Sequence, residues 1–206
     1  MGKLTVTTFV SLDGVMQAPG GPTEDPSDGF THGGWGVPHF DEPTGAFMCE
    51  VFRRAEAFLL GRRTYEIFAG YWPKVTEPAD PVGGALNRLP KHVATTTLRD
   101  LSWQGSQLIA GDVPAAIRRL KDQYSGELQV HGSCGLLQTL WQHDLIDEIA
   151  ILQFPSVLGG GRRLFGPGTR PMAMQLHKSQ ATPSGIVIST YRRDGELRLG
   201  AIEPLP

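Results

Sequence analysis

The chain has 206 residues, 40% of them apolar, and its 19 basic and 21 acidic side chains leave a net charge of −2. That balance excludes the one-sided positive charge of a nucleic-acid footprint, and no stretch approaches the ~20 consecutive apolar residues of a membrane span. The two cysteines, Cys49 and Cys134, sit in unlike contexts, which excludes a disulfide framework and fits a reducing cytoplasm.

In chain order, residues 1–14 lack the apolar run and cleavage site of a signal peptide, and within them residues 5–10 predict a strand from their β-branched and aromatic content. Residues 17–45 then carry seven glycines and five prolines, a stretch too long for an ordinary connection and therefore expected to be functional or disordered. Residues 46–55 set Phe47, Met48, Val51, Phe52 and Ala55 at helical spacing, with Glu50, Arg53 and Arg54 opposite. Residues 57–60 form a short apolar strand ending at Gly61, with a helix through Thr64 to Phe68 after it, and residues 92–97 make another strand. Asp112 is placed as an N-cap and Pro114 in the first turn of a helix burying Ala116, Ile117, Leu120 and Tyr124. Residues 128–131 are a strand, followed by a helix burying Leu136, Leu137, Leu140 and Trp141. Residues 148–154 are a long apolar strand, and residues 174–191 alternate as two more strands, antiparallel to each other. Strands alternating with helices predict one α/β domain over residues 1–206, a three-layer α/β/α sandwich on a mostly parallel sheet.

Ligands of open α/β sheets bind beyond the carboxyl ends of the strands. Four ends here carry small or polar residues: Ser11-Leu12-Asp13-Gly14, Gly61-Arg62-Arg63-Thr64, Thr95-Thr96-Thr97 and Gly132-Ser133-Cys134-Gly135. Glycine lets a backbone approach a ligand, and helix-start N–H groups attract an anion, although Gly-x-x-Gly alone is equally a tight structural turn. Two arginines at a helix start oppose the helix dipole, a conflict that a bound phosphate relieves. A solvated helix start accounts for Arg62 and Arg63 as well, and β-propensity accounts for the threonines.

These pieces, with Gly33-Gly34-Trp35, Tyr71-Trp72-Pro73, Leu89-Pro90-Lys91, Asp144-Leu145-Ile146-Asp147-Glu148 and residues 155–165, resemble the dihydrofolate reductase-like superfamily. The closer likeness is to the branch of the C-terminal reductase domain of bacterial riboflavin biosynthesis, and it covers nearly the whole chain. The resemblance implies NADPH lying across the carboxyl edge of the sheet. Arg62 and Arg63 would face the 2′-phosphate with Thr95 and Thr96, Thr64 would reach the pyrophosphate, and Gly61 is assigned to the cofactor beside them. Gly132, Ser133, Cys134, Gly135 and Leu136 would form the pyrophosphate and ribose wall, and Val10 would border the nicotinamide. Ser11, Trp35, His39 and Asp41 are assigned to a small-molecule substrate and Asp13 to catalysis, as proton donor or substrate ligand, with no metal. A homodimer pairing through the late strands and residues 158–161 is implied as well.

Two departures from the resemblance bear on the substrate. The position of the pterin-anchoring carboxylate falls at Gly45, and Gln129-Val130-His131 supplies no acid before the glycine of its strand end. Folate and the riboflavin intermediate 5-amino-6-(5-phosphoribosylamino)uracil are both disfavoured, and a pteridine-, pyrimidine- or sugar-like molecule is expected. A protein that binds the nucleotide without turnover is the other reading. Residues 17–45 are expected to form a substrate lid, or to pack on their own aromatics. His131 reads as a structural histidine, with polarising a carbonyl as its alternative, and Cys134 as a small buried residue.

Overall fold

In the computed structural model, which describes residues 1–77 and 79–202, one eight-stranded sheet runs through the molecule in the order β4-β3-β2-β5-β1-β6-β8-β7. Its strands are β1 (Lys3–Val10), β2 (Ala55–Gly61), β3 (Lys91–Ala94), β4 (Ser106–Ile109), β5 (Glu127–His131), β6 (Glu148–Gln153), β7 (Met174–Ala181) and β8 (Val187–Arg193). The first six are parallel to one another, so their carboxyl ends share one edge; β8 runs antiparallel to β6, and β7 to β8. The mostly parallel sheet and the antiparallel tail agree with the sequence reading.

Among the described residues five α-helices complete the layers: α1 (Glu42–Arg53), α2 (Arg62–Tyr71), α3 (Pro81–Arg88), α4 (Val113–Gln123) and α5 (Cys134–Gln142). One face of the sheet packs on α4 and α5, where Leu4, Val6, Leu59, Leu128 and Val130 meet Ile117, Leu120, Leu137 and Leu140. The opposite face offers Phe58, Leu60 and Val93 to Phe52 of α1, Tyr65 of α2 and Leu86 of α3. Alternation along each strand divides the two cores, since successive side chains point to opposite faces.

Several boundaries differ from the sequence reading. The helix α1 starts at Glu42, because Asp41 caps it by accepting the Thr44 N–H at 3.0 Å. Strand β3 ends at Ala94, where Thr95 turns the chain and its hydroxyl accepts the N–H groups of Thr97 and Leu98. The helix α3 was not anticipated, since Gly83 and Gly84 argue against helix; the Asp80-Pro81 pair, an N-cap followed by proline at N1, is its signal.

Residues 17–41 are an ordered segment and not a bare tether. Trp35 is buried, donates its Nε1–H to Gln17 O at 2.7 Å and meets Phe154 edge-on. Phe30, Trp35, Phe154, Ile186 and Ile188 form a third apolar cluster under it. The glycine-rich stretch 158–161 folds back onto the turn after β1. Gly161 there has φ of 115°, and a Cβ would lie 2.7 Å from Val15 Cγ1, so glycine is required.

Candidate active site

A cleft of about 1130 Å³ opens along the carboxyl ends of β1, β2, β3 and β5. One half is made largely of backbone. The left-handed pair Gly132 (φ 55°) and Ser133 (φ 61°) turns β5 into α5. Three bonds hold that turn: the Ser133 hydroxyl accepts the Gly61 N–H at 3.0 Å and donates to His131 O at 3.0 Å, and the Thr64 hydroxyl accepts the Ser133 N–H at 2.9 Å. The ends of β2 and β5 are thereby stitched together. A Cβ at Gly132 would press to 3.3 Å from the Thr64 hydroxyl.

The helices α1, α3 and α4 each begin with an aspartate cap, from Asp41, Asp80 and Asp112. Three helices start at the cleft, and of these α4 keeps its Asp112 cap whereas α2 and α5 have no side-chain cap. The first backbone bond into α5 runs from Leu137 N–H to Ser133 O, so the N–H groups of Cys134, Gly135 and Leu136 have no helical acceptor. Two positive helix ends therefore face one cavity, which is an anion site in its electrostatics. A Cβ at Gly135 would meet nothing within 4 Å, so the space in front of α5 is open.

Cations border this half. Arg62 pairs with Glu66 at 3.0 Å and is partly exposed. Arg63 and Arg162 both pair with Asp25 of the long segment and both donate to the Ser27 hydroxyl; Arg162 also holds Asp28 at 2.9 Å. Burial by itself raises the Asp25 pKa, but Ser27 and the two guanidinium groups outweigh it and lower the carboxyl. Burial pushes the Cys134 thiol up, as expected of a packed residue rather than a nucleophile.

The other half is walled by side chains. Phe9 of β1, Met48 and Phe52 of α1, Phe68 of α2 and Trp72 just beyond it are its apolar lining. The floor is Thr7 and His131, paired in register on adjacent strands and only 6% and 4% exposed. His131 stacks on Phe52 at 4.4 Å and 10°. Burial drives its pKa down to about 3, so the ring is neutral.

All the residues assigned from sequence to the nucleotide, Gly61, Arg62, Arg63, Thr64, Thr95, Thr96, Gly132, Ser133, Cys134, Gly135 and Leu136, line the cleft, with the exception of Val10, which is packed in the core below it. Asp13, Ser11, Trp35, His39 and Asp41 do not line it. Asp13 accepts from the Ser11 hydroxyl and from the Leu158 and Gly159 N–H groups and pairs with Arg163, fastening the turn to the glycine-rich stretch. The Ser11 bond first, then the backbone donors, hold its carboxyl at about 2, so it carries no proton to give at neutral pH. Burial raises the Asp41 pKa, but hydrogen bonds from Thr44, Thr182 and Ser184 outweigh it and hold the carboxyl well below its usual range. His39 meets the Ser156 hydroxyl at 3.3 Å. Ser11 and Asp13 follow β1 directly, and the hydrogen bonds of Ser11, Asp13, Trp35 and Asp41 hold turns, a helix start and the long segment in place. The aromatic walls and Thr7 escaped the sequence reading, because helical spacing makes Phe52 and Phe68 look like ordinary core.

A cleft across the carboxyl edge of a six-strand parallel unit with an antiparallel tail defines a dihydrofolate reductase-like fold. The chain belongs to the RibD C-terminal domain family, whose model matches residues 2–188. It is 22% identical to the Bacillus subtilis (strain 168) uncharacterized protein YyaP, over 94% of this chain and 96% of that one. A pyrimidine reductase-like protein from Corynebacterium diphtheriae superposes with a TM-score of 0.67 at 12% identity, covering 94% and 92% of the two chains. A dihydrofolate reductase from Enterococcus faecalis, complexed with NADP(H) and RAB-propyl, superposes at 0.56 and 14% identity, covering 93% and 96%. No helix among the described residues is long and apolar enough to cross a membrane.

Proposed function

We propose that the protein is an NADPH-dependent reductase acting on a small ring molecule. The observation that carries this reading is the pair of uncapped helices, α2 and α5, converging on one cavity while the other three helices are capped by aspartate. Unpaired N–H groups and open space before Gly135 suit a pyrophosphate, and Arg62 with the Thr95–Thr97 hydroxyls suits a 2′-phosphate. When bound there, NADPH would supply a hydride to the carbon of a C=N or C=O bond, and the heteroatom would take a proton from water. The chain's contribution is position and dryness: the Thr64–Ser133 stitch fixes one half, and the aromatic walls of the other hold a flat ring and exclude solvent.

The test is NADPH oxidation against a panel of pterins, pyrimidines and carbonyl compounds, with calorimetry on the Arg62→Ala/Arg63→Ala double variant. Each lost charged contact costs about 1.5–3 kcal/mol of NADPH binding, with much less loss for NADH. Equal losses for the two cofactors refute the assignment of the 2′-phosphate. A homodimer is part of the same proposal, because β7 is an edge strand exposed along most of its length, and bare edges recruit a partner. Sedimentation at micromolar concentration tests it, and a mass near 22.4 kDa counts against it.

A further inference from the structure

The floor of the apolar half has a defined hydrogen-bonding polarity. The Gln129 amide nitrogen donates to Val51 O at 2.7 Å and to Glu127 Oε2 at 2.7 Å, which commits its NH2 group. Its Oε1 therefore faces His131 Nε2 at 3.2 Å and must accept, so Nε2 carries the ring proton. Nδ1 is left as an acceptor, and among the described residues it has no partner; nor has the hydroxyl of Thr7, directly opposite in register. His131 cannot polarise a carbonyl from this tautomer, because it has no second proton to donate.

The same half holds no cation. The lining cations are Arg62, Arg63 and Arg162, all in the nucleotide half, and Asp25 already bridges the last two. A phosphate or carboxylate placed among Phe9, Met48, Phe52, Phe68 and Trp72 would be desolvated without a partner.

We infer that the substrate of the reductase proposed above is a neutral, flat, largely apolar ring that bears an N–H or O–H donor for His131, and that it has neither a sugar phosphate nor a carboxylate tail. Thr7 and His131 are its specificity-determining residues. The aromatic walls hold any flat ring of the right size. The unpaired acceptor selects among such rings, since a ligand lacking the donor leaves Nδ1 buried and unsatisfied.

The experiment measures, by calorimetry, the binding of quinolin-2(1H)-one, its N-methyl analogue and its 4-carboxylate to the whole protein, with and without NADP+. NADPH affinity is titrated separately. The N–H lactam is expected to bind, and both analogues to bind at least tenfold more weakly. His131→Phe keeps the stack on Phe52 and should erase the difference between the N–H and N-methyl compounds. Thr7→Val keeps the side-chain shape and should weaken the lactam several-fold, with NADPH affinity unchanged. Equal binding of the N–H and N-methyl rings, tighter binding of the carboxylate, or no binding of the lactam overturns the inference. Absence of NADPH binding strikes the reductase reading instead, and donor-dependent lactam binding would still support the assignment of the floor.

Discussion

The two halves of the cleft are built by different means. The half bordered by α2 and α5 is backbone: two helix starts, a glycine and a left-handed serine, stitched by the Thr64 and Ser133 hydroxyls, 69 residues apart in sequence. The substrate half is a convergence of side chains from β1, α1, α2 and β5, spread from Thr7 to His131. Backbone donors suit a group that every dinucleotide carries, and they tolerate little change because a glycine cannot be varied. Side chains on separate elements can be exchanged one at a time without disturbing that scaffold. A fold of this design can keep its backbone half and vary its side-chain half.

Four measurements press on this division. The largest effect is expected outside both halves. Trp35→Ala should cost about 3–5 kcal/mol of stability, as truncations of buried aromatics do, with NADPH affinity preserved in the folded fraction. An affinity loss beyond tenfold at unchanged stability would return Trp35 to the cleft. Next, Gly135→Asp places a carboxylate in open space before α5. Like-charge contact costs several kcal/mol, so NADPH binding should fall by about 3 kcal/mol or more. The melting temperature should hold or rise, because an acid at a helix start suits the dipole, and lactam binding in the other half should survive.

The third measurement is a pH dependence. The His131 pKa is about 3 in the folded protein, against 6.5 ordinarily. Below pH 6.5 the unfolded chain therefore binds a proton that the native protein refuses. Stability should fall with pH through that window at up to ~1.4 kcal/mol per unit, about 2–3 kcal/mol by pH 4.5. Urea unfolding at pH 7 and 4.5 reads the slope, which His131→Phe should flatten. The smallest effect is at the far end of the same hydrogen-bonded chain. Arg54 meets Glu127 at 2.7 Å but is half exposed, so Arg54→Ala should cost under about 1 kcal/mol. A larger loss, with weaker lactam binding, would mean that the floor is oriented from the surface.

The sequence made the parallel strands, the buried faces of α4 and α5 and most of the cleft lining around the starts of α2 and α5 readable, since each depends on local spacing. The missed helix α3 depends on packing: Gly83 has no intrinsic helical preference, but a Cβ there would lie 2.9 Å from Val75 Cγ1, so close approach selected glycine. Ser11, Asp13, His39 and Asp41 fall outside the lining of the cleft. Polar residues beside strand ends attract a functional reading, and sequence alone does not reveal that Asp41 caps α1 or that Asp13 ties two turns. Thr7 and Phe52 were invisible as a site because only the register of β1 with β5 and the placement of α1 bring them together.

The alternation in β5 has a consequence for how the chain finds its alignment. Leu128 and Val130 enter the apolar layer under α4 and α5, whereas Glu127, Gln129 and His131 face the other way, linked to one another and to Thr5, Val51 and Arg54. A slip of one residue would turn the amide and the imidazole into hydrocarbon with no acceptor or donor to meet them. Since β5 lies between β1 and β2, that error would be charged against both neighbours at once. The polar row thus acts as an alignment key for the centre of the sheet, disfavouring misthreaded pairings.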